Sequence, residues 1–518
     1  MALASGLRPL QVFILLLSAR ILSVFLVQTW YVPDEYWQTL EVAHKHVFGY
    51  GELTWEWQKG IRSYLYPSVV SAIYYALKLT SLDYPTIVVL APRIFQAVLS
   101  AFADYSFYKW SGNRKWALFV ILTSWFWFYT ASRTLLQTTE TALVAIALSM
   151  FPFKAGKPSY YEKEDNRWVW IACVSVFVRP TSAPLWIVLS VYNLMTTNKG
   201  PLKQLLSTYL PIGILSSGVL IGLDSFMYDR LIVTPWEFFK VNIIQDISSF
   251  YGEHPCINLL FFFFDILVFD ISRYWYLTQG LPAVLGISLP LVLWGILAVV
   301  RRPKEHIIGV VILTAAAFHI ILHSLISHKE FRFVLPLLPM LMYLAQDVIV
   351  PWSRKAKKWQ LYTLAGLLVV GNVAPAFYFG TVHQSGPLRV MPLLREEIKD
   401  NKTSVLFLMP CHSTPLYSHL HANITTRYLH CEPTSANTEA ENFYNNPLSW
   451  WRSELARKQP YTLVVMFDVL RGRLETVLAD YELLYDVPHT ELPEGEVSEK
   501  ILVFRKLNKR TVQPDPVV

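Results

Sequence analysis

The chain has 518 residues, of which 53% are hydrophobic, 15% aromatic and only 16% charged, and its mean hydropathy is +0.34. Soluble domains carry about a quarter charged residues, so most of this chain is read as lying in lipid rather than as a string of soluble domains. Neither a glycine-rich phosphate loop nor GxSxG nor HExxH occurs, which excludes the commonest soluble nucleotide-binding, serine-hydrolase and metalloprotease readings, and nothing points to nucleic acid.

Residues 9–29 (PLQVFILLLSARILSVFLVQT) are interrupted only by Arg20 and are long enough to cross about 30 Å of hydrocarbon. They lack a small-residue cleavage pattern and are read as an uncleaved first transmembrane helix. The stretch YVPDEYWQTLEV follows. Pro33 suits the first position of a helix, and the acids after it complement the positive end of the helix dipole. That is one reading of Asp34 and Glu35. The other is a carboxylate held at the membrane surface as a general base, walled by Tyr31, Tyr36, Trp37, Trp55 and Trp57. Sugars stack on such walls, although Trp and Tyr also belong at bilayer interfaces.

Further apolar segments lie near 64–82, 88–108, 116–131, 134–151, 168–195, 204–222, 281–300, 306–326, 331–350 and 358–380. Arg8, the stretch Lys154, Lys157, Lys163 and Arg167, Lys199 with Lys203, the cluster Arg301, Arg302 and Lys304, and RKAKK at 354–358 mark the cytoplasmic side. Loops 30–63, 223–280 and 327–331, and everything after about 381, then fall on the opposite, lumenal side. Four apolar runs between 64 and 152 leave the parity one too many, so one of them is re-entrant, lateral or fused with its neighbour. INLLFFFFDILVFD at 257–270 is too short and too acidic at its ends for a span and is placed at the lumenal interface.

Several charges interrupt the apolar runs: Arg93, Asp104, Arg133, Glu140, and Arg179 in VRPTSAP, where Pro180 marks a helix break. All but Arg179 are read first as internal ion pairs holding a bundle together. His319 and His323 lie four apart on one helical face; two histidines without a third ligand are weak evidence for a metal, and none is expected. SHKEFRF brings His328, Lys329, Glu330 and Arg332 together beside lipid. Either these are snorkelling interfacial charges or they form a cationic pocket for a membrane-anchored phosphate.

From about residue 381 the composition turns mixed, with strand-like runs SVLFLM, YTLVVMFDVL and KILVFRKL, which predicts a small lumenal α/β domain over 381–518 after a membrane module over 1–380. Two sequons, at Asn401 and Asn423, fall in this segment and agree with its lumenal placement. Cys411 and Cys431 flank a polar stretch there and are candidates for a disulfide in an oxidising compartment.

YVPDEYWQTLEV, LTWEW, IRSYLYP, PRIFQAVLSAFADY, SRTLLQTTET, VRPTSAPLW and SHKEFRFVLPLLP, in this order over about residues 20–350, resemble the endoplasmic-reticulum mannosyltransferases that take mannose from dolichyl phosphate. The lumenal tail matches more loosely. That family often has His before Pro-Asp-Glu; Val32 stands here, which fits its GPI-anchor branch better than its N-glycan branch. The resemblance implies a polytopic α-helical membrane protein of the GT-C type, with about 10–13 transmembrane helices, resident in the endoplasmic reticulum with a cytoplasmic N-terminus and a lumenal C-terminus.

The activity it implies is inverting, metal-independent transfer of the third, α1,2-linked mannose from dolichyl phosphate mannose to a mannosylated glucosaminyl phosphatidylinositol. An N-glycan precursor mannosyltransferase is the alternative, and a lipid transporter a more distant one. Carried over, the acidic pair lands on Asp34 and Glu35 as base and partner, and donor-phosphate binding on His328, Lys329 and Arg332, with Arg179 beside them. Glu330, Trp37, Trp55 and Trp57 are substrate-side candidates.

Overall fold

The computed structural model describes residues 8–112, 115–153, 165–245, 247, 274–326, 328–433, 438–455, 460–493 and 495–507. The 257–270 segment and Lys154, Lys157 and Lys163 lie outside them. The chain divides into a helical unit (1–27, 34–47 and 53–380) and a sheet unit (28–33, 48–52 and 381–518).

Among the described residues seven helices are long and apolar enough to cross a membrane, including Pro9–Leu26, Pro85–Trp110, Pro201–Met227, Ile307–Ser324 and Phe331–Lys355 of the helical unit. The chain is thus a polytopic helical membrane protein. Arg20, the one charge in the first span, is fully buried and donates from Nε to Asp104 (2.6 Å) and from Nη2 to the Ile121 carbonyl (3.1 Å). Trp127 Nε1 donates to the other Asp104 oxygen at 2.7 Å. A charge in hydrocarbon is tolerated where a partner and further hydrogen bonds satisfy it, and this pair fixes the first span against Pro85–Trp110. Gly295 lets Leu289–Arg301 approach Leu338–Lys355 so closely that a Cβ there would run into the Leu344 carbonyl.

One apolar run differs from its sequence reading, and a second is broken where Pro180 marked it. The 116–131 run is two short helices, Lys115–Thr123 and Trp125–Thr130, broken at Ser124. The 168–195 run is likewise divided, into Arg167–Val178, a tight turn Pro180–Ser182, and Ala183–Thr196. Proline lacks the N–H that would continue the helix and disfavours helical geometry in the residue before it; Arg179 is accordingly extended, with φ −147° and ψ 110°.

The sheet unit holds five strands, β1 (Ser404–Leu408), β2 (Thr425–Tyr428), β3 (Leu463–Phe467), β4 (Tyr481–Pro488) and β5 (Lys500–Lys506), in the order β2-β1-β3-β5-β4. β1 runs parallel to both β2 and β3, and β5 antiparallel to both β3 and β4. Every residue of β3 is buried, as a central strand covered on both faces requires. On one side its Val464 and Met466 join Leu406, Leu408, Phe443, Trp451, Leu502 and Phe504 in a core.

Three strands coincide with the apolar runs singled out in the sequence. β2 and β4 do not, because edge strands with half-exposed residues lack a continuous apolar signal. Cys411 and Cys431 are joined by a disulfide, with Cα atoms 6.1 Å apart. Within the same unit the Trp30 N–H donates to the Gln384 carbonyl (2.9 Å), and Phe48 and Tyr50 pack edge-on against His421 and Tyr417.

Candidate active site

Pro33 sits in a turn and the helix begins at Asp34, passing through a wide π-type turn over Tyr36–Leu40 before the regular helix Glu41–Phe48. Successive helical residues project about 100° apart, so Asp34 and Glu35 face different surroundings. Glu35 is buried at 2% exposure, where Oε2 accepts from Arg133 Nη1 at 2.8 Å. Arg133 is itself fully enclosed and lies over the Tyr129 ring, 4.3 Å from its centroid. The Asp34 side chain keeps 20% of its surface and meets Arg332 Nη1 at 2.6 Å.

The HKEFRF residues are gathered by Glu330. It is extended, and a tight turn over Phe331–Leu337 follows. Its Oε1 accepts from Arg332 Nη2 at 2.5 Å and lies 2.7 Å from His328 Nε2. Burial pushes the Glu330 carboxyl up, but Arg332 and His328 outweigh it and hold it below the usual carboxylate range. Arg332 therefore bridges two carboxylates, Glu330 and Asp34. Lys329 is buried and donates from Nζ to the Ile326 carbonyl at 3.1 Å.

Arg179, at the helix break, reaches Glu140 at 3.5 Å and donates to Thr181 Oγ1 at 2.9 Å. Arg179 and Arg332 lie 5.1 and 5.6 Å from the centroid of the Phe333 ring, a cation–π arrangement that lets two like charges share one neighbourhood. The intramembrane charges thus choose distant partners: Glu35 for Arg133, Arg179 for Glu140, Arg20 for Asp104, and the Val27 carbonyl for Arg93 (2.6 Å).

The aromatic-wall reading needs correcting. Trp37, Trp55 and Trp57 are 3%, 7% and 3% exposed and present no open face beside Asp34. Trp55 packs with Ile61 and Val241. Trp57 packs with Val42 and Tyr64 and donates from Nε1 to the Trp37 carbonyl at 3.3 Å. Aromatic side chains bury large apolar areas, and here they hold the first loop to the helix that carries Asp34.

His319 and His323 are stacked 3.9 Å apart. His319 bonds the Phe333 carbonyl (3.1 Å), which braces the Phe331–Leu337 turn, and no group of three potential metal ligands occurs among the described residues. Sequence reasoning passed over Arg62. It lies in IRSYLYP, pairs with Glu56 at 2.5 Å, and is within electrostatic reach of Asp34 and Arg332. A charged residue in so aromatic a loop is the signal that could have found it. Outside this cluster, in the sheet unit, Asn401 and Asn423 are exposed.

A partly exposed carboxylate in contact with a guanidinium can take a proton while the cations around it bind a phosphate. The Alg9-like mannosyltransferase family profile matches residues 11–269 and 270–421. GPI mannosyltransferase 3 of Drosophila melanogaster is 43% identical over 505 residues, covering 95% of this chain and 86% of that one. GPI alpha-1,2-mannosyltransferase 3 of Danio rerio is 38% identical (97% and 90% covered), and that of Homo sapiens 34% (95% and 86%). Among solved structures, ArnT from Cupriavidus metallidurans bound to undecaprenyl phosphate superposes with a TM-score of 0.58 at 12% identity, covering 95% of this chain and 97% of that one. The likeness is one of fold, the GT-C architecture.

Proposed function

The chain belongs to the Alg9-like mannosyltransferase family, and from that premise we propose that it adds the third mannose, in α1,2 linkage, to a GPI-anchor precursor at the lumenal face of the endoplasmic-reticulum membrane. It is a multi-pass membrane glycosyltransferase of GPI-anchor biosynthesis, as its relatives' names and its apolar helices support. Dolichyl phosphate mannose is the donor in this reading. The observation that carries it is the placement of Asp34, partly exposed and in contact with Arg332, against the enclosed pairing of Glu35 with Arg133.

The Asp34 carboxylate takes the proton of the acceptor mannose 2-hydroxyl as that oxygen attacks the donor's anomeric carbon. The bond from this carbon to the phosphate oxygen breaks with inversion, and the electron pair leaves on dolichyl phosphate. Arg332, Lys329 and His328, with Arg179 beside them, supply the cations for the charge that gathers there. Glu330 holds His328 and Arg332 in position. The basic cluster supplies the charge for a single phosphate, and no metal is assigned.

The test is transfer by the purified chain in lipid vesicles. Labelled mannose should pass from dolichyl phosphate mannose to a two-mannose GPI precursor and depend on Asp34. Transfer from a nucleotide sugar instead, or no transfer to this acceptor, would refute the reading.

A further inference from the structure

Arg62 is fixed from several sides. Nε and Nη2 both donate to Glu56 Oε1, at 3.1 and 2.5 Å, whereas Nη1 carries no hydrogen bond among the described residues. Its side chain keeps 19% of its surface, and its guanidinium carbon lies 5.7 Å from the centroid of the Phe238 ring. Glu56 also accepts from Gln38 Nε2 at 3.1 Å. Gln38 follows Asp34 by four residues, so it sits one turn along the same helical face.

The backbone is held too. The Arg62 carbonyl accepts from the Tyr228 hydroxyl at 2.7 Å. The next two residues donate to one oxygen of fully buried Asp224, from Ser63 Oγ (3.0 Å) and the Tyr64 N–H (2.8 Å), while Thr234 Oγ1 holds its other oxygen at 2.6 Å. Segments some 160 residues apart thus converge on the peptide that presents Arg62. A surface ion pair needs no such anchoring; a cation that must meet a ligand at a set place does. Burial pushes the Arg62 guanidinium down, but Glu56 and Asp34 more than offset this, and Arg332 opposes them.

We infer that Arg62, aimed by Glu56 and anchored through Asp224, is a further ligand of the donor phosphate beside Arg332. This rests on the reading of the site as a dolichyl-phosphate-mannose transferase. The phosphate gains negative charge as the sugar leaves, so Arg62 binds the product dolichyl phosphate more strongly than the donor and stabilises the departing charge.

The experiment measures kcat, both KM values and product inhibition by dolichyl phosphate in the purified full chain, alongside thermal stability. A hydrogen bond to a charged group corresponds to about 10-fold or more in binding. Arg62→Ala should therefore weaken dolichyl phosphate inhibition and lower kcat/KM for the donor by about 10-fold or more, leaving the acceptor KM near wild type. Arg62→Lys, which keeps the charge but loses the fork, should show a smaller loss in the same direction and decides the matter if the alanine variant does not fold. Glu56→Gln should affect inhibition less than either. Unchanged dolichyl phosphate inhibition in a folded Arg62 variant overturns the assignment, as do equal losses in Arg62→Ala and Glu56→Gln. A wild-type chain that neither uses dolichyl phosphate mannose nor is inhibited by dolichyl phosphate sinks the functional reading and this assignment together; an active wild type with insensitive Arg62 variants sinks this assignment alone.

Discussion

A carboxylate serves as a base only where a proton donor can reach it, and of two adjacent acids Asp34 alone keeps open surface while Glu35 is enclosed with Arg133. The two should therefore fail differently. Asp34→Asn is expected to lower kcat by about 10²–10⁴ with thermal stability near wild type. Glu35→Gln leaves Arg133 buried without its countercharge, which costs about 3 kcal/mol or more, so it should show as lost melting temperature and yield. Equal loss of stability in both variants, measured by thermal unfolding of the purified proteins, would contradict this division. The sequence placed both acids at the membrane surface but left open which of them acts, because their divergence depends on where the helix starts and on Arg133, 98 residues away. Burial of Trp37, Trp55 and Trp57 was hidden for the same reason: a tryptophan's preference for an interface and for a core look alike in sequence.

At the scale of elements, the sheet unit carries two features that can be tested separately. The disulfide between Cys411 and Cys431 closes a loop of sequence separation 20 at the ends of β1 and β2, and such a closure stabilises by about 3 kcal/mol. Replacing both cysteines by serine should speed hydrogen exchange in β1, β2 and β3 of the full chain while the helical spans keep their protection.

His489 is buried against Phe467, and burial, with His383 nearby, pushes its imidazole down to about 4. The unfolded chain binds this proton near 6.5, so the unfolded state gains protons first as pH falls. Stability is then present above about pH 6.5 and is lost progressively towards pH 4. His489→Gln should flatten that slope in melting temperatures taken between pH 7.5 and about 4.5; an unchanged slope would rule out this histidine as its source. Spans, strands and the break at Pro180 were legible because period, length and proline mark them locally. The division at Ser124 and the edge strands β2 and β4 were not, since tertiary packing decides them.

For the whole molecule, the basic loops and two sequons predict one orientation, in which the loop carrying Asp34 and the sheet unit would both be lumenal. Asn401 and Asn423 are exposed, Asn423 just before edge strand β2, so each should carry a glycan removable by endoglycosidase. Asn401→Gln and Asn423→Gln should each remove one step of gel mobility; a chain unglycosylated at both sites in cells would contradict the lumenal placement. The fold class followed from composition and ordered motifs, whereas the network joining Asp34, Arg332, Glu330 and Arg62 draws on segments up to about 300 residues apart and emerges only in three dimensions.

The central claim, that this chain adds the third mannose of a GPI precursor with Asp34 as base, is met most directly by the lipid profile of cells lacking the protein. A two-mannose GPI precursor should accumulate there and disappear when the wild-type chain is returned, but persist with Asp34→Asn expressed at equal level. A normal GPI profile accompanied by truncated N-glycan precursors, or full correction by Asp34→Asn, would contradict it.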